Sequence, residues 1–266
     1  MEYALKSESL TRDFGPLRAV DHLTLAVRQG EIFGLLGPNG AGKTTTMKML
    51  TTLLPPTSGT AFVAGLNIIR DAAKVRGVIG YVPQLVSADG TLTGRENLIL
   101  SAKLYDIPRK ERAERVEAVL RTMGLVDAAN RMVRQYSGGM IRRLEIAQAM
   151  LHRPSVLFLD EPTVGLDPVA RQAVWDYLKT LITSHPTTVV LTTHSMEEAD
   201  SLCDRLAILS HGKTAALGMP QELKSSLGLE GATLTDVFRH YTGADLETGG
   251  DFREISKRRR TIRRLG

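Results

Sequence analysis

The 266-residue chain carries a single cysteine, Cys203, so it cannot close an internal disulfide, and a reducing cytosol is its natural setting. It also lacks long hydrophobic runs. Purely apolar stretches such as Val156-Leu157-Phe158-Leu159 last only a few residues, whereas a spanning helix needs roughly 20. The polypeptide is therefore expected not to cross a membrane itself. Its first residues, Met1-Glu2-Tyr3-Ala4-Leu5-Lys6, show neither the basic start nor the apolar stretch of a secretory signal. Internal repeats are missing, and so is any Pro/Gly/Ser-rich linker before the C-terminal tail.

Excess charge is missing from most of the chain as well. The net charge is +5, but residues 251–266 hold seven basic side chains against Asp251 and Glu254, which is the whole excess. The remainder balances, so the body offers no compositional case for a polyanion, and no nucleic-acid partner is expected. The basic stretch Ser256 to Gly266 has three readings: a solvated, flexible end, contact with an anionic inner leaflet, or contact with nucleic acid.

What is present is ordinary globular composition, 42% hydrophobic and 24% charged, in a chain long enough to bury one large core. The first part reads as strand, turn, strand, glycine loop, helix. The short apolar run Glu31 to Leu36 enters Gly37-Pro38-Asn39-Gly40-Ala41-Gly42-Lys43-Thr44, and a helix is expected through about Leu54, before Pro55-Pro56. Val78 to Val82 reads as a second core strand, closed by Pro83.

From about Leu85 to Pro154 the pattern becomes helical. Thr93-Gly94-Arg95-Glu96 has capping-box spacing and opens a helix toward Leu104. Pro108 opens another, with Val116, Val119, Leu120 and Met123 on one face and Gly124 as its stop. A third begins after Ser137 and turns Ile141, Leu144 and Ala147 inward. Strand–helix alternation then returns. Ser155 to Leu159 is a buried strand, and Asp167-Pro168 starts a helix with Val174, Leu178, Leu181 and Ile182 on one face. Thr188 to Thr193 is a further strand, followed by a second capping box at Ser195 to Glu198. Arg205 to Leu209 and Thr214 to Leu217 form a hairpin around His211-Gly212. Such alternation implies an α/β fold with a parallel sheet, into which the helical middle is inserted.

Gly37 to Thr44 matches G-x-x-x-x-G-K-[ST], placed after a strand and before a helix as its mechanism requires. Glycines let backbone N–H groups close around phosphate oxygens, and the helix N-terminus adds partial positive charge. Lys43 reaches the β- and γ-phosphates, and the Thr44 hydroxyl can ligate Mg²⁺. The strand Val156 to Leu159 delivers Asp160 and Glu161 to its carboxyl end, where ligands sit in open α/β sheets. Acidic pairs at strand ends are common by themselves. Beside a phosphate loop, Asp160 is expected to hold Mg²⁺ and Glu161 to polarise the attacking water.

Beyond the phosphate loop follow, in order, Gln84 after Gly80-Tyr81-Val82-Pro83, then Tyr136-Ser137-Gly138-Gly139-Met140, Asp160-Glu161-Pro162-Thr163, Gly165-Leu166-Asp167, and His194. From about residue 1 to 242 the chain resembles the nucleotide-binding domain of ATP-binding-cassette transporters. The resemblance implies a P-loop NTPase (RecA-like) core with an inserted helical subdomain, about 85–154, and a small N-terminal antiparallel β subdomain. A tail over 243–266 follows. It also implies roles. Phe14 stands where an aromatic stacks on adenine, the alternative being a core phenylalanine. Gln84 senses Mg²⁺ and the γ-phosphate and leads to the surface that meets a membrane subunit. His194 is the switch histidine, and Thr45 completes the phosphate-binding set.

In that resemblance Ser137-Gly138-Gly139 is the signature that faces the ATP of a second subunit, head to tail, with Asp167 bridging the interface. One set of motifs per chain then implies a dimer, read as two identical chains, and a separate membrane permease. ATP and Mg²⁺ are the implied cofactors, and the cytoplasmic face of the membrane the implied location. Met140 and Tyr136 depart from the family's commonest Gln and Leu. With Thr235-Asp236-Val237-Phe238, the pattern around Met140 is similar to bacterial drug-export ATPases of the daunorubicin-resistance type. Gln84 and Ser137 are 53 positions apart, too close for the long coiled coil of chromosome-maintenance relatives. Ribosome-acting relatives usually carry two cassettes. A soluble ATPase of cofactor assembly stands as the alternative.

Overall fold

The computed structural model describes residues 2–184 and 187–243, with the side chains of 183 and 184 left out. The basic tail, from residue 244 on, lies outside the described residues. Among the described residues ten strands form two sheets. The smaller is antiparallel, in the order β2-β1-β4-β5, from β1 (Tyr3–Phe14), β2 (Leu17–Arg28), β4 (Ser58–Val63) and β5 (Leu66–Asn67). The larger has six strands in the order β10-β9-β3-β8-β7-β6, from β3 (Ile32–Leu36), β6 (Ile79–Val82), β7 (Val156–Asp160), β8 (Thr188–Thr193), β9 (Arg205–Ser210) and β10 (Lys213–Gly218). All its neighbours are parallel except the β9–β10 hairpin.

Every residue of β3, β7 and β8 is buried, the mark of a sheet covered on both faces. The two-residue period of the strands divides the core in two. Phe33, Leu35, Phe158 and Val190 face the small sheet and Met47 and Leu50 of helix α1 (Lys43–Leu50). Ile32, Leu36, Leu157, Leu159, Val189 and Leu191 face the other way. They belong to the core that holds Leu144 of α5 (Gly138–Met150), Val174 and Leu178 of α6 (Pro168–Ser184), Leu202 of α7 (Met196–Leu202) and Phe238 of α9 (Leu234–Thr242).

The helices α3 (Gly94–Leu104), α4 (Arg109–Thr122) and α5 fall between β6 and β7. Thr93 caps α3 with a complete box: its hydroxyl accepts from the Glu96 N–H, and the Glu96 carboxylate accepts from the Thr93 N–H. At Ser195 only half the expected box forms. Its hydroxyl accepts from the Glu198 N–H, but the Glu198 carboxylate is buried and accepts instead from Thr163 and Trp175. Two boundaries also differ from expectation. Helix α1 ends at Leu50, because the N–H groups of residues 52–54 turn back onto the Met49 and Lys48 carbonyls and the Thr51 hydroxyl back-bonds to Met47. Val78 closes a helix, α2 (Ala72–Val78), and the strand starts at Ile79. The short α8 (Pro220–Ser225) completes the chain order.

Candidate active site

Parallel pairing aligns the carboxyl ends of four strands at one edge of the large sheet. Leu36 lies beside Thr193, Asp160 beside Thr192, and Val82 beside Leu159. The residues that leave those ends, Gly37, His194, Glu161 and Gln84, are thus gathered by strand register although up to 157 positions separate them.

The loop from Gly37 to Gly42 folds tightly because it has no side chains to accommodate at the close approaches. Gly42, at φ +98°, caps α1, and a Cβ there would stand 2.5 Å from the Ala19 carbonyl oxygen. A Cβ on Gly37 would lie 2.5 Å from the Leu209 oxygen. The Ala41 N–H bonds the Pro38 carbonyl, and the Gly37 N–H bonds Thr193. The Lys43 ammonium is buried and donates to the Gly37 and Pro38 carbonyls at 2.7 and 3.0 Å. Phe14, Asn39, Gly40, Gly42, Lys43, Thr44, Thr45, Gln84 and Glu161 line one cleft of about 300 Å³, together with Leu17 and Ala19. Phe14 is not a core residue: its ring is 45% exposed, with the Arg12 guanidinium 4.7 Å from its centroid.

Two carboxylates stand at the floor with different partners. Asp160, almost fully buried, accepts from the Thr192 hydroxyl at 2.6 Å and from the Thr44 hydroxyl at 3.2 Å through the same Oδ1. Glu161 adopts φ +48°, a left-handed conformation that costs a non-glycine residue about 1–2 kcal/mol. Its N–H is fixed by the Thr192 hydroxyl at 2.9 Å. Its carboxylate meets the Lys43 ammonium at 3.4 Å, His194 Nδ1 at 3.3 Å and the Gln84 side-chain amide at 3.1 Å. Burial pushes the Glu161 carboxyl up, but the His194 hydrogen bond and the Lys43 charge outweigh it and hold the pKa below the ordinary value. The hydrogen bond to Glu161 correspondingly raises His194. Burial lowers Lys43, and Glu161 and Asp160 only partly offset it.

Ser137, Gly138, Gly139 and Asp167 do not line this cleft. Ser137 is exposed and caps α5, accepting from the Met140 N–H at 3.3 Å. Gly139 is buried, and a Cβ there would lie 2.7 Å from Ala170 Cβ of α6. Exposed Asp167 caps α6, accepting from the Ala170 N–H at 2.9 Å. The two residues that depart from the family pattern have partners within their own chain. The Tyr136 hydroxyl donates to the Ala128 carbonyl at 2.7 Å and covers Gly94, while Met140 packs on the core of the helical side.

Sequence reasoning overlooked Thr192, which holds both carboxylate residues, and buried Arg142, which donates to the carbonyls of Pro83, Glu161 and Pro162. Threonine in a buried strand reads as β-propensity, and an arginine three residues past the glycines reads as a solvated helix face. Only the hydrogen bonds distinguish them.

A phosphate loop entering α1, with acidic residues at the end of a neighbouring parallel strand, defines the class of P-loop nucleotide hydrolases. Comparison with known proteins narrows this. Residues 20–164 match the model of the family described as ABC transporter, and the chain belongs to that family. It is 46% identical over 225 residues to the daunorubicin/doxorubicin resistance ATP-binding protein DrrA of Streptomyces peucetius, covering 85% of this chain and 68% of that one. It is 50% identical over 213 residues to the human phospholipid-transporting ATPase ABCA3. That match takes 80% of this chain but only 12% of the longer protein. A dimeric post-hydrolysis state of the cassette MJ0796, bound to ADP and Pi, superposes with a TM-score of 0.72 at 27% identity, covering 81% of this chain and 98% of that one. The protein is thus an ATP-binding, ATP-hydrolysing subunit of the ABC type, homologous to drug and lipid exporter ATPases.

Proposed function

We propose that this chain hydrolyses ATP with Glu161 as the water-polarising base and drives export through a separate membrane subunit. The observation that carries the chemistry is the meeting of Glu161 with Lys43, His194 and Gln84, all between 3.1 and 3.4 Å. Adenine stacks on Phe14. Phosphates lie on the N–H groups of residues 37–45 at the N-terminus of α1, with Lys43 on the β- and γ-oxygens. The Thr44 and Asp160 oxygens, with the Gln84 amide oxygen, are the hard donors that Mg²⁺ prefers. Among the described residues no group of three or more His, Cys, Asp or Glu could cage a metal, so the substrate's phosphates complete the shell. When bound, the ion would neutralise charge developing on them.

Pairing is the second element of the proposal. Ser137, Gly138 and Asp167 are exposed and do not line the Lys43 cleft, and Val164 and Val169 beside Asp167 are 42% and 81% exposed. That surface fits a second, identical chain set head to tail, so that each Ser137-Gly138-Gly139 turn meets the partner's nucleotide. Transport rests on the likeness to a drug-resistance ATP-binding protein and on an exposed apolar segment next to Gln84. Leu85 and Val86 are 81% and 64% exposed, and Leu100 and Leu104 lie one turn apart on α3 at 45% and 75%. Among the described residues no helix is long and apolar enough to cross a membrane. By likeness to DrrA, an ATP-binding protein of which the match covers 68%, the membrane component is assigned to another polypeptide, with this one on its cytoplasmic face and a drug, antibiotic or lipid-like molecule as cargo.

The Glu161→Gln protein tests the chemistry. It should bind ATP, form a stable dimer and hydrolyse at least about 100-fold more slowly, since the group lost acts as a base in the transition state. Near-normal turnover would sink the assignment. Recovery of an integral membrane protein from detergent extracts tests the transport reading, and a wholly soluble partner set would count against it.

A further inference from the structure

Arg142 lies on α5 three residues beyond Gly139, with 6% of its surface exposed. Its guanidinium donates Nε–H to the Pro162 carbonyl at 2.8 Å, Nη1–H to the Pro83 carbonyl at 2.8 Å and Nη2–H to the Glu161 carbonyl at 3.3 Å. Nη1 also meets the Glu145 carboxylate at 3.1 Å. Glu145 is equally buried and accepts from the Ser87 N–H and hydroxyl at 2.5 and 2.9 Å. One planar fork thus ties three separate pieces of chain. These are the helix that begins at Ser137, the loop that carries Gln84 between Pro83 and Ser87, and the turn that carries Glu161.

Two features make that tie more than core filling. Glu161 sits in the left-handed region, which a non-glycine residue holds only when its surroundings over-determine it. Thr192 grips its N–H, and Arg142 grips its carbonyl and the next one. Second, the Glu161 and Gln84 side chains touch at 3.1 Å, and the same guanidinium anchors the backbone beside both. Burial lowers the Arg142 pKa, although Glu145, Asp160 and Glu198 all oppose this.

We infer that Arg142, paired with Glu145, is a positioning residue for hydrolysis: it locks the Glu161 turn and the Gln84 loop to the signature helix, so a shift of that helix moves the base. The inference rests on Glu161 being the base. Arginine is suited because its rigid fork reaches several carbonyls at fixed angles, which a lysine cannot reproduce.

The test is Arg142→Lys, alone and combined with Glu161→Gln. Melting temperature, ATP affinity and turnover at saturating ATP are measured on the full chain. Arg142→Lys should keep ATP affinity within about threefold and lose roughly 10- to 100-fold in turnover, the cost of a misplaced catalytic group. In the Glu161→Gln background that extra loss should vanish, because the arginine acts through the missing carboxylate. The double change Arg142→Gln with Glu145→Gln removes both buried charges together, so it keeps the test open if the lysine variant folds poorly. It should show the same pattern. Turnover within about twofold of the parent in these variants, with Glu161→Gln still inactive, would overturn the positioning role and leave the base untouched. The full loss persisting in the Glu161→Gln background would overturn it too. Normal turnover in Glu161→Gln alone would instead fault the reading underneath.

Discussion

At the scale of single residues, Glu161, His194 and Lys43 form a coupled set whose charges hold one another. Glu161 is lowered and His194 raised, so their stabilising effects run oppositely with pH. The His194 contribution is complete below its ordinary value of 6.5 and fades as pH rises through the raised pKa. That of Glu161 is present above its ordinary 4.5 and fades as pH falls through the lowered one. Nucleotide-free protein should therefore lose a modest increment of stability as pH climbs beyond 6.5. The His194→Ala protein should not show that slope in a melting series across pH, and an unchanged slope would refute the pairing.

Thr192 supports a second prediction at this scale. Thr192→Val keeps the volume but takes the 2.6 Å donor from Asp160 and the nearer of two acceptors from the Glu161 N–H, which keeps the Thr192 carbonyl at 3.2 Å. Leaving buried polar groups short costs about 1–3 kcal/mol, so both melting temperature and ATP turnover should fall. A variant as stable and active as the parent would show that neither bond matters.

At the scale of elements, the signature turn has a role within its own chain. Gly139 lets α5 approach α6 so closely that a methyl group would meet Ala170 Cβ at 2.7 Å. Its neighbour Gly138 has its nearest contact at 3.3 Å, on the flexible end of Leu166. Gly139→Ala should cost about 1–3 kcal/mol through overpacking and Gly138→Ala clearly less. Denaturant unfolding without nucleotide reads this difference, and equal costs would mean the helices adjust freely.

Elements with a local code were legible along the chain. The Thr93 box fixes where α3 starts, and the apolar run before Gly37 fixes β3, because capping and burial leave short-range patterns. The Ser195 box was only half right, since Glu198 looks like a local capping partner yet spends its carboxylate on Thr163 and Trp175. The ladder between β1 and β2 is broken by register shifts, so its twelve-residue strands carry no clean alternation. The end of α1 was placed too late because its last turn is set by backbone bonds to Lys48 and Met49 rather than by the prolines beyond.

At the scale of the whole molecule, the exposed turn at Ser137 does not line the cleft around Lys43, which is why a head-to-tail pair is proposed. Complementation tests it. A Lys43→Ala chain and a Ser137→Arg chain should each be inactive alone. Mixed, they form dimers with one intact site, and turnover should return to about a quarter of normal by random two-fold pairing. No recovery in mixtures shown to contain mixed dimers would argue that each chain works with its own signature.

The sequence alone determined the chemistry that depends on adjacency: the phosphate loop, the Asp160-Glu161 pair at a strand end and the cap at Ser137 are contiguous patterns with contiguous causes. The tertiary structure alone decided what converges from afar. Parallel register brings Gln84 and His194 onto Glu161, and burial sets Thr192 and Arg142, ordinary strand and helix residues by sequence, against the N–H and carbonyl of the Glu161 backbone. Hydrogen bonds and desolvation depend on neighbours in space, and no spacing along the chain encodes them.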